Sequence, residues 1–471
     1  MQSRQHQAYK ENLSKDDVEH LIHPNADLLR LAESGPTIFV RGHGATVTDI
    51  DGRHYINAVS WLWCSNIGHG RSEMAEVAKR QIEDIEYVSL FWGNSNVPAI
   101  ELATRLAQLA PPGLGQVMFT SGGSDSVETA IRLARLYHFV QGRPQKQKVL
   151  ARERAYHGVF GLSGSATGFD AFHEGFGLLD PGIVRVAAPY CYRCPNAGTS
   201  QCCAVDQTAK VIETEGADTI AAIIVEPVMG AGGSIVPSAD YLPRLARLCR
   251  DNQILLISDE VVTGFGRTGR WFGVDHWGVV PDMMACAKGL TSGYAPLGAV
   301  IMKDEIGRAF RETKDHQLHH GVTYSGHPVC CALALKNLEI IEQEKLIERA
   351  RDLGKRLLEQ FEEFREFEIV GDVRGLGLIF GIELVADRFT KEPLPIADQE
   401  ITDRFLELGL IARLSRGLII LSPPFVLTDE EAEEIVRILR RVLAEVQQRV
   451  KGQAFERGSE TGSKSSKSTR N

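Results

Sequence analysis

The chain has 471 residues, of which 43% are hydrophobic and 24% charged, with a formal net charge of −9. That length suits two units sharing a large core, and the acidic balance argues against nucleic acid as a main partner, because a phosphate-binding surface needs a basic excess. No apolar run reaches the roughly 20 residues that span a bilayer, and the polar start MQSRQHQAYKENLSKDD lacks the apolar core of a signal peptide, so no membrane association and a cytoplasmic location are expected.

In chain order, residues 1–35 read as a helical or irregular arm. The stretch TIFVRGHGATVTDIDGRHYINAV then alternates apolar and polar residues around Asp51-Gly52, a hairpin signal. From Trp61 to Tyr324, strand-length apolar runs alternate with helical periods: VMFT then DSVETAIRLARLYHFV, AAIIVEP then YLPRLARLCRDN, then ILLISDE. Such βα alternation with continuous apolar strands predicts an α/β fold with a mostly parallel sheet covered on both faces. After Pro328 the pattern changes. CCALALKNLEIIEQEKLIERARDLGKRLLEQF reads as one long helix, FEIVGDVRGLGLIFGIELV as strand, glycine turn and strand. A last helix starts at Thr428, where Thr428 and Glu431 form a capping box. The expected organisation is an arm and part of a small domain at 1–60, a large domain at 61–327, a small α+β domain at 328–451, and a disordered Gly/Ser/Lys-rich tail at 452–471.

Several words carry chemistry. In ILLISDEVVTGFGRTG the apolar run ends at Asp259-Glu260, and open α/β sheets bind ligands at the carboxyl ends of their strands. Lys288, between Ala287 and Gly289 in MMACAKGLTSGYAPLGAV, sits among small apolar residues. A lysine desolvated there loses its proton easily and becomes a nucleophile toward carbonyl carbon. A carboxylate for a pyridinium nitrogen and an amine for an aldehyde are what pyridoxal phosphate needs. In FTSGGS, a strand runs into a helix through Gly122, Gly123 and Ser124; free helix N–H groups there suit a phosphate, and Ser124 suits an ordinary N-cap. Tyr156-His157-Gly158 offers an aromatic that could stack on a flat ring or sit in the core. Gly264-Phe265-Gly266-Arg267-Thr268-Gly269 matches a dinucleotide fingerprint, but the aromatic, Gly/Pro-punctuated WFGVDHWGVVPD that follows is not the helix such a site requires.

Of nine cysteines, Cys64, Cys249, Cys286, Cys330 and Cys331 lie in apolar segments and read as buried hydrophobes. The other four, Cys191, Cys194, Cys202 and Cys203, cluster in PYCYRCPNAGTSQCC. A zinc clip or redox pair is one reading of that cluster and an inert loop the other; the ungapped second pair speaks against one tetrahedral ion, and no metal is expected.

The words SGGSDSVETA, YHG, EPVMGAGG, SDEVVTGFGRTG, AKGL and TYSGHP occur in an order and spacing that resemble the class III pyridoxal-phosphate aminotransferases, across roughly residues 30 to 450. The resemblance implies a fold-type-I α/β architecture, pyridoxal 5'-phosphate as cofactor, and a site at a homodimer interface, in a dimer or a dimer of dimers. It makes Lys288 the Schiff-base lysine and proton shuttle, and pairs Asp259 with the ring nitrogen. Gly122, Gly123 and Ser124 would hold the phosphate, joined by Thr323 of a neighbouring subunit. Tyr156 and Val261 would flank the ring, with His157 beside it and Glu226 near its phenolic side. Two departures stand out. The family's Ser-Gly-Ser-Glu is here Gly122-Gly123-Ser124-Asp125, and the arginine that many 2-oxoglutarate users carry before Pro-Pro is here Ile420. Arginines instead fill LIARLSRG, at Arg413 and Arg416, with Arg413 the better match to the mobile arginine of the ω-aminotransferase branch. SWLWCSNIGHG resembles that branch too, placing Trp63 in the substrate pocket with Phe91 nearby.

The implied reaction moves an amino group from an amine or ω-amino acid to a small keto acid, pyruvate, by a ping-pong mechanism; one arginine suffices for one carboxylate. The cysteine loop also resembles taurine–pyruvate aminotransferases. An aminomutase, a decarboxylase, or a non-catalytic metal or redox protein built on Cys191–Cys203 are the remaining alternatives.

Overall fold

A computed structural model describes residues 2–194, 203–313 and 317–465, with side chains between residues 6 and 452 outside those gaps. An N-terminal hairpin unit consists of β1 (Phe39–His43), β2 (Thr46–Asp49) and β3 (His54–Asn57). The large sheet takes β4 (Gln116–Thr120), β5 (Lys148–Arg152), β6 (Ile183–Val186), β7 (Ile220–Val225), β8 (Leu255–Asp259), β9 (Met283–Cys286) and β10 (Gly298–Met302). The C-terminal part supplies β11 (Val370–Leu376), β12 (Ile379–Leu384), β13 (Leu410–Ile411), β14 (Arg413–Ser415) and β15 (Leu418–Leu421).

The seven-stranded sheet has the order β4-β10-β9-β8-β7-β5-β6. All its neighbours pair in parallel except at β10, which runs antiparallel to both β4 and β9. Every residue of β7, β8, β9 and β10 is buried, as their unbroken apolar sequences require of strands covered on both faces. The helix Gly123–Val140 covers one face, burying Val127, Ile131 and Ala134 against Ile257, Ala285 and Val300.

The two ends of the chain meet in one sheet: β13 pairs in parallel with β3, Leu410 opposite Ile56. Ala45, Ala58 and Ile67 accordingly share a core with Phe361, Phe380, Phe405 and Phe425. A second sheet, β11-β12-β15-β14, is wholly antiparallel. Its first hairpin turns at Gly377 (φ 57°), where a Cβ would run into the backbone of Thr268, so only glycine fits.

Two elements depart from the sequence reading. The long helix is two, Pro328–Gln343 and Leu346–Glu362, broken at Lys345 in left-handed backbone (φ 52°). The first helix packs Cys331 and Leu338 toward the large sheet, whereas Leu346, Ala350 and Leu353 belong to the small-domain core, so the chain must change direction between them. The final helix, Asp429–Ser465, carries helical backbone into the tail expected to be disordered from 452; no proline interrupts it there, and residues 466–471 lie outside the described residues. Its start is as expected: Thr428 Oγ1 accepts from Glu431 N at 3.1 Å while Glu431 accepts from Thr428 N at 2.9 Å.

Candidate active site

The carboxyl ends of the parallel strands deliver the chemistry. Asp259 is the last residue of β8, Glu226 follows β7, Lys288 lies two residues beyond β9, and Tyr156-His157 lie in the turn after β5. Asp259 is buried, and its Oδ2 accepts from His157 Nδ1 at 2.7 Å while Oδ1 accepts from Val261 N at 3.0 Å. The carboxylate is thereby aimed, and it fixes the imidazole with Nδ1 as donor. His157 Nε2 is buried with no hydrogen-bond partner among the described residues. Glu226 is also buried, accepting from Tyr156 N at 3.3 Å and Gly230 N at 2.9 Å, and burial pushes its pKa up.

Lys288 adopts left-handed backbone (φ 45°), which a non-glycine residue holds only where its surroundings insist. Burial lowers its pKa; Cys64, Asp259 and Glu226 pull it back up, and Arg413 adds to the lowering. The ammonium nitrogen stands 5.2 Å from the centre of the Trp63 ring, and the Arg413 guanidinium lies 5.8 Å from the same ring. Trp63 is thus a neighbour common to the two cations, itself buried and packed on Leu418 and Ile420. Arg413 sits on β14 directly opposite Ile420 of β15. Arg416, further along, is exposed, with its guanidinium 4.1 Å from the Phe169 ring, and Arg154 and Arg413 join burial in lowering its pKa.

Gly122, not Ser124, caps the helix Gly123–Val140, because the chain is still extended at Gly122 and already helical beyond it. Ser124 Oγ instead accepts from Val159 N at 3.3 Å. Asp125 folds back to accept from Ser121 N, tightening the turn. At Gly123 a Cβ would come within 2.8 Å of Val261 Cγ1, so the loop backbone approaches the end of β8 as closely as only glycine permits. This loop opens a helix whose first N–H groups could receive an anion, close to Val261 at the end of β8.

Phe91 and Thr323 lie at the surface of the single chain. Both are exposed and belong to a second, surface group: the Phe91 ring faces Gly321, and Tyr87 donates to Thr323 O at 2.8 Å. Cys64 departs from its expected burial. It is half-buried beside Lys288 rather than a core residue, whereas Cys249, Cys286, Cys330 and Cys331 are buried. Of the cysteine cluster, Cys202 lies outside the described residues; among those described, no three His, Cys, Asp or Glu side chains are grouped to hold a metal ion.

Sequence reasoning missed the residue that holds the wall of the site. Arg267 lies inside the rejected dinucleotide word, and no helix opens there. Fully buried, it donates to Leu378 O (3.2 Å), Pro423 O (2.6 Å), Ser60 Oγ (3.2 Å) and Asn66 Oδ1 (2.5 Å). It therefore pins the Ser60–Trp63 turn, with left-handed Ser60, Trp61 and Trp63, to both flanking segments of the small domain. Glu260 is likewise structural: it accepts from Gly273 N, Val274 N and the Thr263 hydroxyl, and burial pushes its pKa up to about 7. An exposed neighbour at 260 would have left no signal, since Asp-Glu reads the same either way.

The arrangement can generate a neutral primary amine, hold a protonated ring nitrogen and bind a phosphate. Residues 31–443 match the family model for aminotransferase class-III. A putrescine–pyruvate aminotransferase of Pseudomonas aeruginosa is 37% identical over 441 residues, which cover 92% of this chain and 95% of that protein. Among solved structures, an (S)-enantioselective omega-transaminase from Thermomicrobium roseum is 42% identical with a TM-score of 0.91, covering 93% of this chain and 98% of its own. An omega transaminase from Pseudomonas jessenii, in complex with PMP, is 36% identical with a TM-score of 0.90 over 93% of this chain and 99% of its own. The chain belongs to the class III aminotransferases, pyridoxal-phosphate-dependent enzymes of fold type I, and is an aminotransferase.

Proposed function

We propose that the protein is an ω-aminotransferase that takes the amino group of an amine or ω-amino acid and delivers it to a small keto acid, pyruvate, in ping-pong order. One observation carries the reading: the desolvated amine of Lys288, in the field of buried Asp259 and Glu226, faces a wall with Arg413 and Trp63. The cofactor, when bound, supplies a ring that draws off the electron pair of a breaking C–H bond. Asp259, aimed by His157, would keep the ring nitrogen protonated. Lys288 would hold the cofactor covalently through its amine, and that amine, once displaced by the donor amine, would be free to carry the proton away from the donor carbon. The Gly122–Ser124 amides would hold the phosphate, Tyr156 and Val261 would flank the ring, and Glu226, with its raised pKa, would face the phenolic oxygen. Arg413 would pair with the acceptor carboxylate and Trp63 would limit the bulk beside it.

The cross-strand pair supports pyruvate as the acceptor. Ile420 offers no charge where many 2-oxoglutarate users are expected to have one, and the single arginine opposite it serves a single carboxylate. The positive field shared by Arg154, Arg413 and Arg416 also favours an anionic donor, which keeps taurine as the second reading. Exposed Phe91 and Thr323 would be covered by a second copy, giving a homodimer or a dimer of dimers. Rates with β-alanine, taurine, putrescine and an aryl-ethylamine, each with pyruvate and with 2-oxoglutarate, test the assignment. Pyruvate should be much the faster acceptor, and Arg413→Ala should raise its KM about 10- to 100-fold, the value of one charge-assisted carboxylate contact. Equal rates with both acceptors would overturn the reading, and taurine outpacing putrescine would select the sulfonate donor.

A further inference from the structure

The cysteine-rich stretch takes no part in the site described above, yet two of its thiols are brought together. Cys194 ends the turn Cys191–Arg193, and Cys203 starts the helix Cys203–Glu215. Their sulfurs lie 2.8 Å apart, both half-buried and both free thiols.

Each thiol stands on its own anchored platform. On one side, the Tyr190 hydroxyl donates to Glu383 of β12, and Arg193 Nε donates to the same carboxylate at 2.7 Å. The Tyr190 ring also lies 5.0 Å from both the Arg154 and the Arg374 guanidinium, two cation–aromatic contacts on one ring. On the other side, Ala204, Val205 and Ile212 of the helix are buried in the core with Val186, Ile223 and Val225 of the large sheet. Two anchored segments therefore converge on one sulfur–sulfur contact. A bond of about 2.0 Å requires only a small side-chain rotation from that position.

We propose that Cys194 and Cys203 form a reversible disulfide that ties the Tyr190–Cys194 segment to the start of the helix Cys203–Glu215. The oxidant is a low-molecular-weight disulfide. One cysteine thiolate attacks it, breaking its S–S bond and releasing one small thiol with formation of a mixed disulfide; the second cysteine then displaces the other small thiol and closes the protein bond. Two protein thiols are oxidised, one external disulfide is reduced to two thiols, and the two cysteine protons end on those thiols. The tie fastens the segment that grips Glu383 and places Tyr190 beside Arg154, in the positive field that reaches Arg416 and Arg413. The closed loop restricts the unfolded chain more than the folded one, so the oxidised protein is the more heat-resistant form.

The test equilibrates the holoenzyme with glutathione buffers from reducing to oxidising, then alkylates it in denaturant and maps the peptides. In oxidising buffer two of the nine thiols should escape alkylation, in one internally linked peptide with Cys194 and Cys203 joined, and dithiothreitol should restore all nine. The oxidised protein should also have the higher Tm. That difference should vanish in Cys203→Ser and persist in Cys202→Ser, which distinguishes the neighbouring cysteine. Nine alkylated thiols in oxidising buffer, a link through Cys191 or Cys202 instead, or a bound equivalent of zinc that keeps the thiols from oxidising would each overturn the proposal. The linkage map is read on the unaltered protein, so a variant that fails to fold leaves the result intact.

Discussion

Along the carboxyl edge of the large sheet, Glu226, Asp259 and Lys288 each stand at or just past the end of a strand whose side chains are buried on both faces. On the facing wall, Trp63 and Arg413 stand on a kinked turn and a three-residue strand, held in place by Arg267 and by cross-strand packing. The edge positions its groups by local chain geometry: where the strand ends, the residue must be. The wall positions its groups by contacts between segments hundreds of residues apart. Chemistry common to a family suits the first kind of construction, and selectivity suits the second, because a wall can be altered without disturbing the sheet.

Substitutions should separate the two sides by size and kind of effect. On the edge, Lys288→Ala should lower kcat on the order of 10⁴-fold or more, as loss of a nucleophile does, with the fold preserved by circular dichroism; ordinary multiple turnover would break the comparison. Asp259→Asn keeps the shape but removes the charge facing the ring nitrogen, and should cost about 10²- to 10³-fold in kcat, as removal of a preorganised electrostatic contact does. A loss confined to KM would move Asp259 out of the chemistry.

On the wall, Arg267→Met leaves Ser60, Asn66, Leu378 and Pro423 without a buried donor. At about 1–3 kcal/mol for each orphaned group, partly offset by relaxation, the variant should lose several kcal/mol of stability. Thermal unfolding measures this, and an unchanged Tm would mean that the Trp63 turn is held by something else. The smallest effect concerns Glu260. Its folded pKa is raised to about 7 from 4.5, so the folded state binds the extra proton. Its contribution to stability is therefore full below about 4.5 and is lost as pH rises through about 7. The Tm should fall across that window, and Glu260→Gln, though less stable throughout for want of an acceptor, should show a flatter profile.

The sequence read well where function and local structure share the same residues. Asp259 and Lys288 were legible because an apolar run ending in a carboxylate, and a lysine among small residues, each state their burial in a few letters. The Thr428–Glu431 box was legible for the same reason. Arg267 was not, because its four partners come from three segments distant from it in the chain, around 60–66, 378 and 423, and its glycine-rich surroundings look like a loop that binds phosphate. The helix break at Lys345 was hidden because its cause is a change of core, from Leu338 to Leu346, that periodicity alone does not register. Cysteine spacing announced a cluster without saying that Cys194 would meet Cys203, since that meeting depends on Glu383 and on the packing of a helix.

The central claim, that Lys288 is the amine at which amino transfer is carried out, has a direct test. Borohydride reduction of the holoenzyme fixes the cofactor to whichever amine it is bonded to, and peptide mass mapping then identifies that amine. The label should fall on Lys288 alone, and in the presence of a saturating amine donor it should be lost from the protein. A label on any other lysine would contradict the account.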